Sequence, residues 1–225
     1  MRLMGSKLLV AAAALSFLVS SAAVAAETPA EEAVRLAEKV QAHYDGVRDL
    51  KATFIQTYFK ALTSRSNEKD GELFMKKPGK VLYKYTTQNT MTYLNGDVLW
   101  YYKPDERTAA QTRVDRKQMT AAFQFLTGEG KLTDAFKVEP LSSDPALKLR
   151  PGLVALKLTP KGKEPTYARL ILGVDPKTGS VMTTILELNS GDTNRFDFKK
   201  VETNSGLQDE LFEFVPPKGV DVERM

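Results

Sequence analysis

Residues Gly71 to Pro104 read GELFMKKPGKVLYKYTTQNTMTYLNGDVLWYYKP. Lys77-Pro78-Gly79-Lys80 and Asn95-Gly96 interrupt a run dense in aromatic and aliphatic residues. Asn-Gly suits a two-residue hairpin loop, whose central positions take positive φ. The stretch therefore predicts antiparallel strands over Gly71–Lys76, Val81–Thr86, Thr90–Leu94 and Val98–Tyr102. Strands this apolar, in a chain with few helices, enclose either a core or a ligand.

Upstream, Leu50–Phe59 predicts a further strand and Thr28–Val47 a helix. Thr28 can cap, Pro29 fits the first turn beside Glu31 and Glu32, and Ala33, Leu36, Ala37, Val40, Tyr44 and Val47 form one apolar stripe. Downstream, Met119, Ala122, Phe123 and Leu126 recur at helical spacing over Arg116–Leu126, with Gly128 as the stop. Strands resume at Phe136–Leu141, Leu153–Thr159, Tyr167–Val174, Val181–Leu188 and Thr193–Val201, separated by turn-forming clusters such as Asp175-Pro176-Lys177-Thr178-Gly179 and Asn189-Ser190-Gly191-Asp192. In the last strand Phe196 and Phe198 point one way, and Arg195, Asp197 and Lys199 the other. About ten antiparallel strands with two helices predict one strongly curved sheet, the helices lying across its concave apolar side; a closed barrel is the other arrangement that the pattern allows.

Residues 1–26 read as a secretory signal peptide. Arg2 and Lys7 precede an apolar run from Leu8 to Val19, short for a membrane span, and small residues between Ala22 and Ala26 offer cleavage sites. Residues 27–225 then form one domain. With no cysteine the chain makes no disulfide and lacks the thiol that anchors a bacterial lipoprotein, so a soluble extracytoplasmic protein is expected. The formal charge of +4 falls to +2 once the signal is removed, 30 basic against 28 acidic residues. That is too mild to argue for nucleic acid.

Catalytic residue types are scarce. His43 is the sole histidine, on the first helix and without an assignable serine, so it reads as a satisfied or solvent-facing residue rather than part of a triad. One histidine and no cysteine argue against zinc, and the acidic residues follow no calcium-loop pattern. Thr127-Gly128-Glu129-Gly130-Lys131 departs from a phosphate loop, with Phe125 in place of the first glycine and Leu132 in place of Ser or Thr. Asp105-Glu106 and Asp209-Glu210 are neighbours in sequence, which does not make them a facing glycosidase pair. Trp100, Tyr101, Tyr102, Tyr83 and Tyr85 suggest either a stacking platform or ordinary sheet core. No enzyme, cofactor or metal is implied.

Several motifs, in order, resemble the LolA family of periplasmic lipoprotein carriers. They are Phe54-Ile55-Gln56, Gly71-Glu72-Leu73, Lys77-Pro78-Gly79-Lys80, Tyr83-Lys84-Tyr85, the run from Asn95 to Tyr102, and the run from Phe212 to Val222. The resemblance covers nearly all of residues 27–225. It implies an incomplete, strongly curved antiparallel β-barrel of ten to eleven strands, with helices as a lid over an apolar cavity. It also implies a periplasmic shuttle whose cargo is acylated lipoproteins, loaded by an inner-membrane ABC exporter and delivered to an outer-membrane acceptor; a monomer is the default state. At about 0.8 kcal/mol per methylene, leaving one acyl chain in water costs on the order of 10 kcal/mol, so a carrier must supply an apolar cavity.

For the cavity wall we select Val81, Tyr83 and Tyr85, on one face of their strand, with Trp100 and the second-helix stripe Met119, Ala122, Phe123 and Leu126; Met91 adds deformable surface. The family's lid-latching arginine is replaced here by Lys77, which lacks the planar guanidinium fork. Other readings are a LolA-like carrier or sensor of another lipid, and a combined carrier and outer-membrane acceptor. The polar connection Thr86 to Thr90 speaks against an acceptor's apolar loop.

Overall fold

A computed structural model of the chain describes residues 27–114, 130–141, 147–162 and 166–225. Helix α1 (Pro29–Asp45) begins as its sequence predicts: the Thr28 hydroxyl accepts from the Glu31 amide while the Glu31 carboxylate accepts from the Thr28 amide, a capping box. Its stripe of Ala33, Leu36, Ala37, Val40 and Tyr44 is buried. A short helix α2 (Leu132–Ala135) packs beside it.

Among the described residues, twelve strands form one sheet. They are β1 (Asp49–Lys60), β2 (Arg65–Lys76), β3 (Lys80–Tyr85), β4 (Thr90–Asn95), β5 (Val98–Lys103), β6 (Thr108–Arg113), β7 (Phe136–Leu141), β8 (Val154–Pro160), β9 (Tyr167–Val174), β10 (Val181–Leu188), β11 (Thr193–Thr203) and β12 (Asp221–Arg224). The order is β12-β6-β5-β4-β3-β2-β1-β11-β10-β9-β8-β7, antiparallel throughout except for the parallel pairing of β12 with β6. The edges β12 and β7 do not meet, so the sheet is curved and open rather than a closed barrel. Pro140 is accommodated because β7 is an edge strand. Between β1 and β11 the register shifts from Lys51↔Glu202 to Thr53↔Lys199, a bulge that includes Lys200 at φ 50°. Bulges sharpen twist, and this one lies at the joint between the two halves of the sheet.

Helix α1 crosses the concave side at one end of the strands. The β9–β10 turn closes on it: Lys39 donates to the Pro176 carbonyl (2.7 Å), and Gly179 at φ 78° brings its Cα so close that a Cβ would stand 2.7 Å from the Lys39 carbonyl oxygen. The core gathers beneath α1, with Leu50, Leu73, Met75, Val81, Leu94, Leu156, Leu172 and Val181 from across the sheet.

A second, smaller layer covers the convex side. After β11 the chain turns at Asn204 to Gly206, held by the buried Asp49 carboxylate, which accepts from the Ser205 amide (2.8 Å), the Ser205 hydroxyl (3.1 Å) and the Gly206 amide (3.1 Å). The 3-10 turn Asp209–Phe212 then packs on β3 and β4, with Asp209 bridging Lys76 (2.7 Å) and Lys80 (3.0 Å). Phe214 lies against Tyr93, Trp100 and Tyr102, ring centroids 5.1, 5.2 and 4.9 Å away.

Candidate functional site

Strand alternation decides what faces the hollow. Across neighbouring strands the register aligns Val81 with Met75 and Leu94, and Tyr83 with Leu73 and Thr92. Leu50, Ala52, Phe54 and Gln56 continue this face along β1, and Phe196 and Phe198 along β11. Together with Leu170, Leu172, Val181 and Leu186 of the other half, the residues of this face other than Phe54 and Leu94, which are buried behind it, bound a cavity of about 440 Å³. Tyr44 of α1 closes one end, its hydroxyl accepting from the Val181 amide (3.3 Å). Burial pushes the Tyr44 phenol up to about 12.

The floor is aromatic. Phe54 meets Tyr83, Tyr85 and Phe196 edge-on at 5.4–5.8 Å, and Phe196 stacks on Phe198 at 6.0 Å. Tyr83 is only half-buried by surface, yet desolvation strongly raises its phenol pKa. Both observations fit a side chain whose accessible part faces the cavity rather than bulk solvent. Two polar side chains of the wall pair with each other, Gln56 donating to Asn194 (2.9 Å). Among the described residues, the wall of this hollow chiefly offers dispersion and exclusion of water.

Of the residues selected from sequence, Val81, Tyr83 and Tyr85 line this cavity. Trp100 does not. It pairs with Tyr93 on the opposite face, under Phe214, because the even positions of β5 point to the convex side. Met91 shares that outer parity and accepts from the Tyr93 hydroxyl (3.2 Å). Met119, Ala122, Phe123 and Leu126 lie outside the described residues. The halves of the aromatic platform thus part company, Tyr83 and Tyr85 inward, Trp100 and Tyr102 outward. Wall residues not selected include Leu170, Leu172, Leu186, Phe196 and Phe198; the alternation at Phe196 and Phe198 was their only signal.

Lys77 reaches α1. Its ammonium donates to the Tyr44 carbonyl at 2.5 Å, in the last turn of the helix, and its amide donates to the Arg48 carbonyl (2.8 Å). Burial lowers its pKa, against the opposing pull of Asp45. His43 is half-buried, edge-on to Tyr44, and its Nε2 has no hydrogen-bond partner among the described residues. The adjacent carboxylates engage separate partners, Asp105 with Asn89, Glu106 with Lys103, and Asp209 with Lys76 and Lys80. No cluster suited to a metal ion occurs among the described residues.

Residues 45–215 match the family model described as outer membrane lipoprotein carrier protein LolA. The outer-membrane lipoprotein carrier protein of Methylococcus capsulatus is 26% identical over 185 residues, covering 82% of this chain and 85% of that one. That of Cupriavidus necator is 26% identical over 212 residues, 92% and 96% of the two chains. Among solved structures, an uncharacterized conserved protein from Thermus thermophilus superposes with a TM-score of 0.50 at 11% identity, over 86% of this chain and 99% of that one. The match to the family model runs from the end of α1 to the segment that carries Phe214, spanning the cavity and its outer cover, and this chain belongs to the LolA family.

Proposed function

We propose that this chain is a periplasmic carrier, which takes up the acyl chains of lipoproteins released from the inner membrane and shuttles them to the outer membrane. The apolar cavity under α1 carries this reading. From Leu50 to Gln56 its floor follows β1 for about 20 Å at the rise of an extended strand. That length and the aromatic and aliphatic wall suit an alkyl chain, and the volume falls toward the lower part of the ~300–1,000 Å³ range of ligand sites. Cargo with several chains therefore requires the cavity to widen. Lys77 is the latch: its bond to the last turn of α1 must loosen for the helix to shift.

The family is one of carriers, and binding and release by this chain make and break no covalent bond. A signal peptide at residues 1–26 delivers the protein to the periplasm, and residues 27–225 act as one carrier domain. No helix among the described residues is long and apolar enough to cross a membrane. An ABC exporter of the inner membrane loads the carrier, and an outer-membrane acceptor receives the cargo. Native mass spectrometry of the protein purified from its own periplasm tests the cargo class. A co-purifying acylated protein is expected; a small free lipid alone would refute lipoprotein carriage while leaving the lipid cavity standing.

A further inference from the structure

We propose that the concave face of the β1–β2 hairpin, beyond the cavity, is a site for the anionic end of an amphiphile, a phosphate or carboxylate whose alkyl chain occupies the cavity. This rests on the reading of the cavity as an alkyl-chain site. The register pairs Gln56 with Lys69, Tyr58 with Asn67 and Lys60 with Arg65. Alternation puts these side chains on the same face as Ala52 and Leu73 of the cavity floor. Gln56, Tyr58, Lys60, Asn67 and Lys69 bound a recess of about 340 Å³, and Gln56 lines both this recess and the cavity. One continuous surface therefore changes from apolar to cationic at the end of the cavity opposite Tyr44.

The cations there are not locked into ion pairs. Lys60, Arg65 and Lys69 form no salt bridge with any described residue. Lys69 holds its ammonium 5.4 Å from the ring centroid of Tyr85, an aromatic of the cavity wall, which fixes the charge at the boundary without neutralising it. Glu68 and Asp70 alternate to the other face of the hairpin. Asp192 lies behind Tyr58, and its carboxylate already accepts from the Tyr58 hydroxyl (2.9 Å) and the Ala61 amide (2.9 Å). Those bonds hold its pKa below the ordinary value, and Lys60 adds only a smaller, more distant attraction. β2 pairs with β3 only from Gly71 onward, so Asn67 and Lys69 remain open along one side. A chain entering from this end brings its polar terminus among two ammonium groups, where charge-assisted hydrogen bonds form.

The test uses the delipidated full chain and displacement of a fluorescent apolar probe by dodecyl phosphate, dodecanol and inorganic phosphate, below micellar concentrations. Dodecyl phosphate is expected to bind about tenfold tighter than dodecanol at low salt. That ratio should fall to near one in the Lys60→Gln, Lys69→Gln double variant and at high salt, where exposed charges are screened. Taking a ratio within each protein cancels any general loss of cavity binding. Equal affinities in the unaltered chain, or a ratio insensitive to the two substitutions, would overturn the site while the cavity reading stood. Inorganic phosphate binding as well as dodecyl phosphate would make this a free-anion site and overturn the headgroup assignment. Failure of both alkyl ligands would refute the cavity reading and the site with it.

Discussion

Lys77 holds the end of α1 at the point where helix carbonyls lack intrahelical partners and the helix dipole is negative. Lys77→Met is expected to weaken that end by about 1 kcal/mol, below the ~1.5–3 kcal/mol of a hydrogen bond to a charged group because the lysine is only half-buried. Hydrogen exchange then reads about fivefold faster opening of the amides in the last turn of α1, and lipoprotein transfer changes with it. Unchanged exchange would remove Lys77 from the latch. Gly71 makes a different kind of demand. A Cβ there would stand 2.2 Å from the Lys84 carbonyl oxygen and 2.8 Å from Cζ of Phe54, so the aromatic floor can reach Tyr83 and Tyr85 only because this position carries no side chain. Gly71→Ala should cost about 1–3 kcal/mol through forced backbone displacement, seen as a lower urea midpoint at unchanged slope.

Among the elements, the segment from Asn204 to Phe214 explains both why β5 resists reading from sequence and how its orientation can be monitored. Val98 to Tyr102 is apolar on both faces, Leu99 packing on the main core and Trp100 with Tyr102 under Phe214, while Tyr101 is exposed. Parity alone therefore does not place Trp100, whereas β3, which carries Lys84 on its outer face, shows its inner residues plainly. α1 was legible through its cap and stripe. β6, β12 and the first half of β2 were not, since Thr108–Arg113, Asp221–Arg224 and Arg65–Asp70 are largely polar segments at or near an edge of the sheet, or overhanging it, without an apolar alternation.

Trp100 is the only tryptophan, so its emission reports on the cover. Phe214→Ala should shift that emission to the red and cost about 2 kcal/mol for a partly buried ring. The Lys76 and Lys80 ammonium groups hold the Asp209 carboxyl below its ordinary value. A depressed folded pKa stabilises above the unfolded value, near 3.8, and the stabilisation disappears as pH falls through the lower folded value. Acidification through that window is expected to loosen the cover and red-shift Trp100. Asp209→Asn at neutral pH should reproduce part of the shift; an identical acid response in that variant would assign the transition to other carboxylates.

At the scale of the whole molecule, the cavity exists because one curved sheet stays open and α1 closes only one end of it. Ala52 sits mid-floor, so Ala52→Phe should fill the hollow at an over-packing cost of about 1–3 kcal/mol. The variant is expected to keep its circular dichroism spectrum and lose uptake of a triacylated lipopeptide; retained uptake would show that cargo binds elsewhere. The order of the strands has a kinetic corollary. β1 to β6 and β7 to β11 are each local meanders, but the joint between them pairs β1 with β11, bringing together residues such as Leu50 and Thr203, about 150 positions apart. Closing so long a loop carries a larger entropic cost than any hairpin, and pairings of this kind slow folding. The cavity floor lies across that joint, so the two meanders can form before any binding site exists. Cargo that recognises only the finished floor stabilises the native state and retards its unfolding, without accelerating the search that builds it.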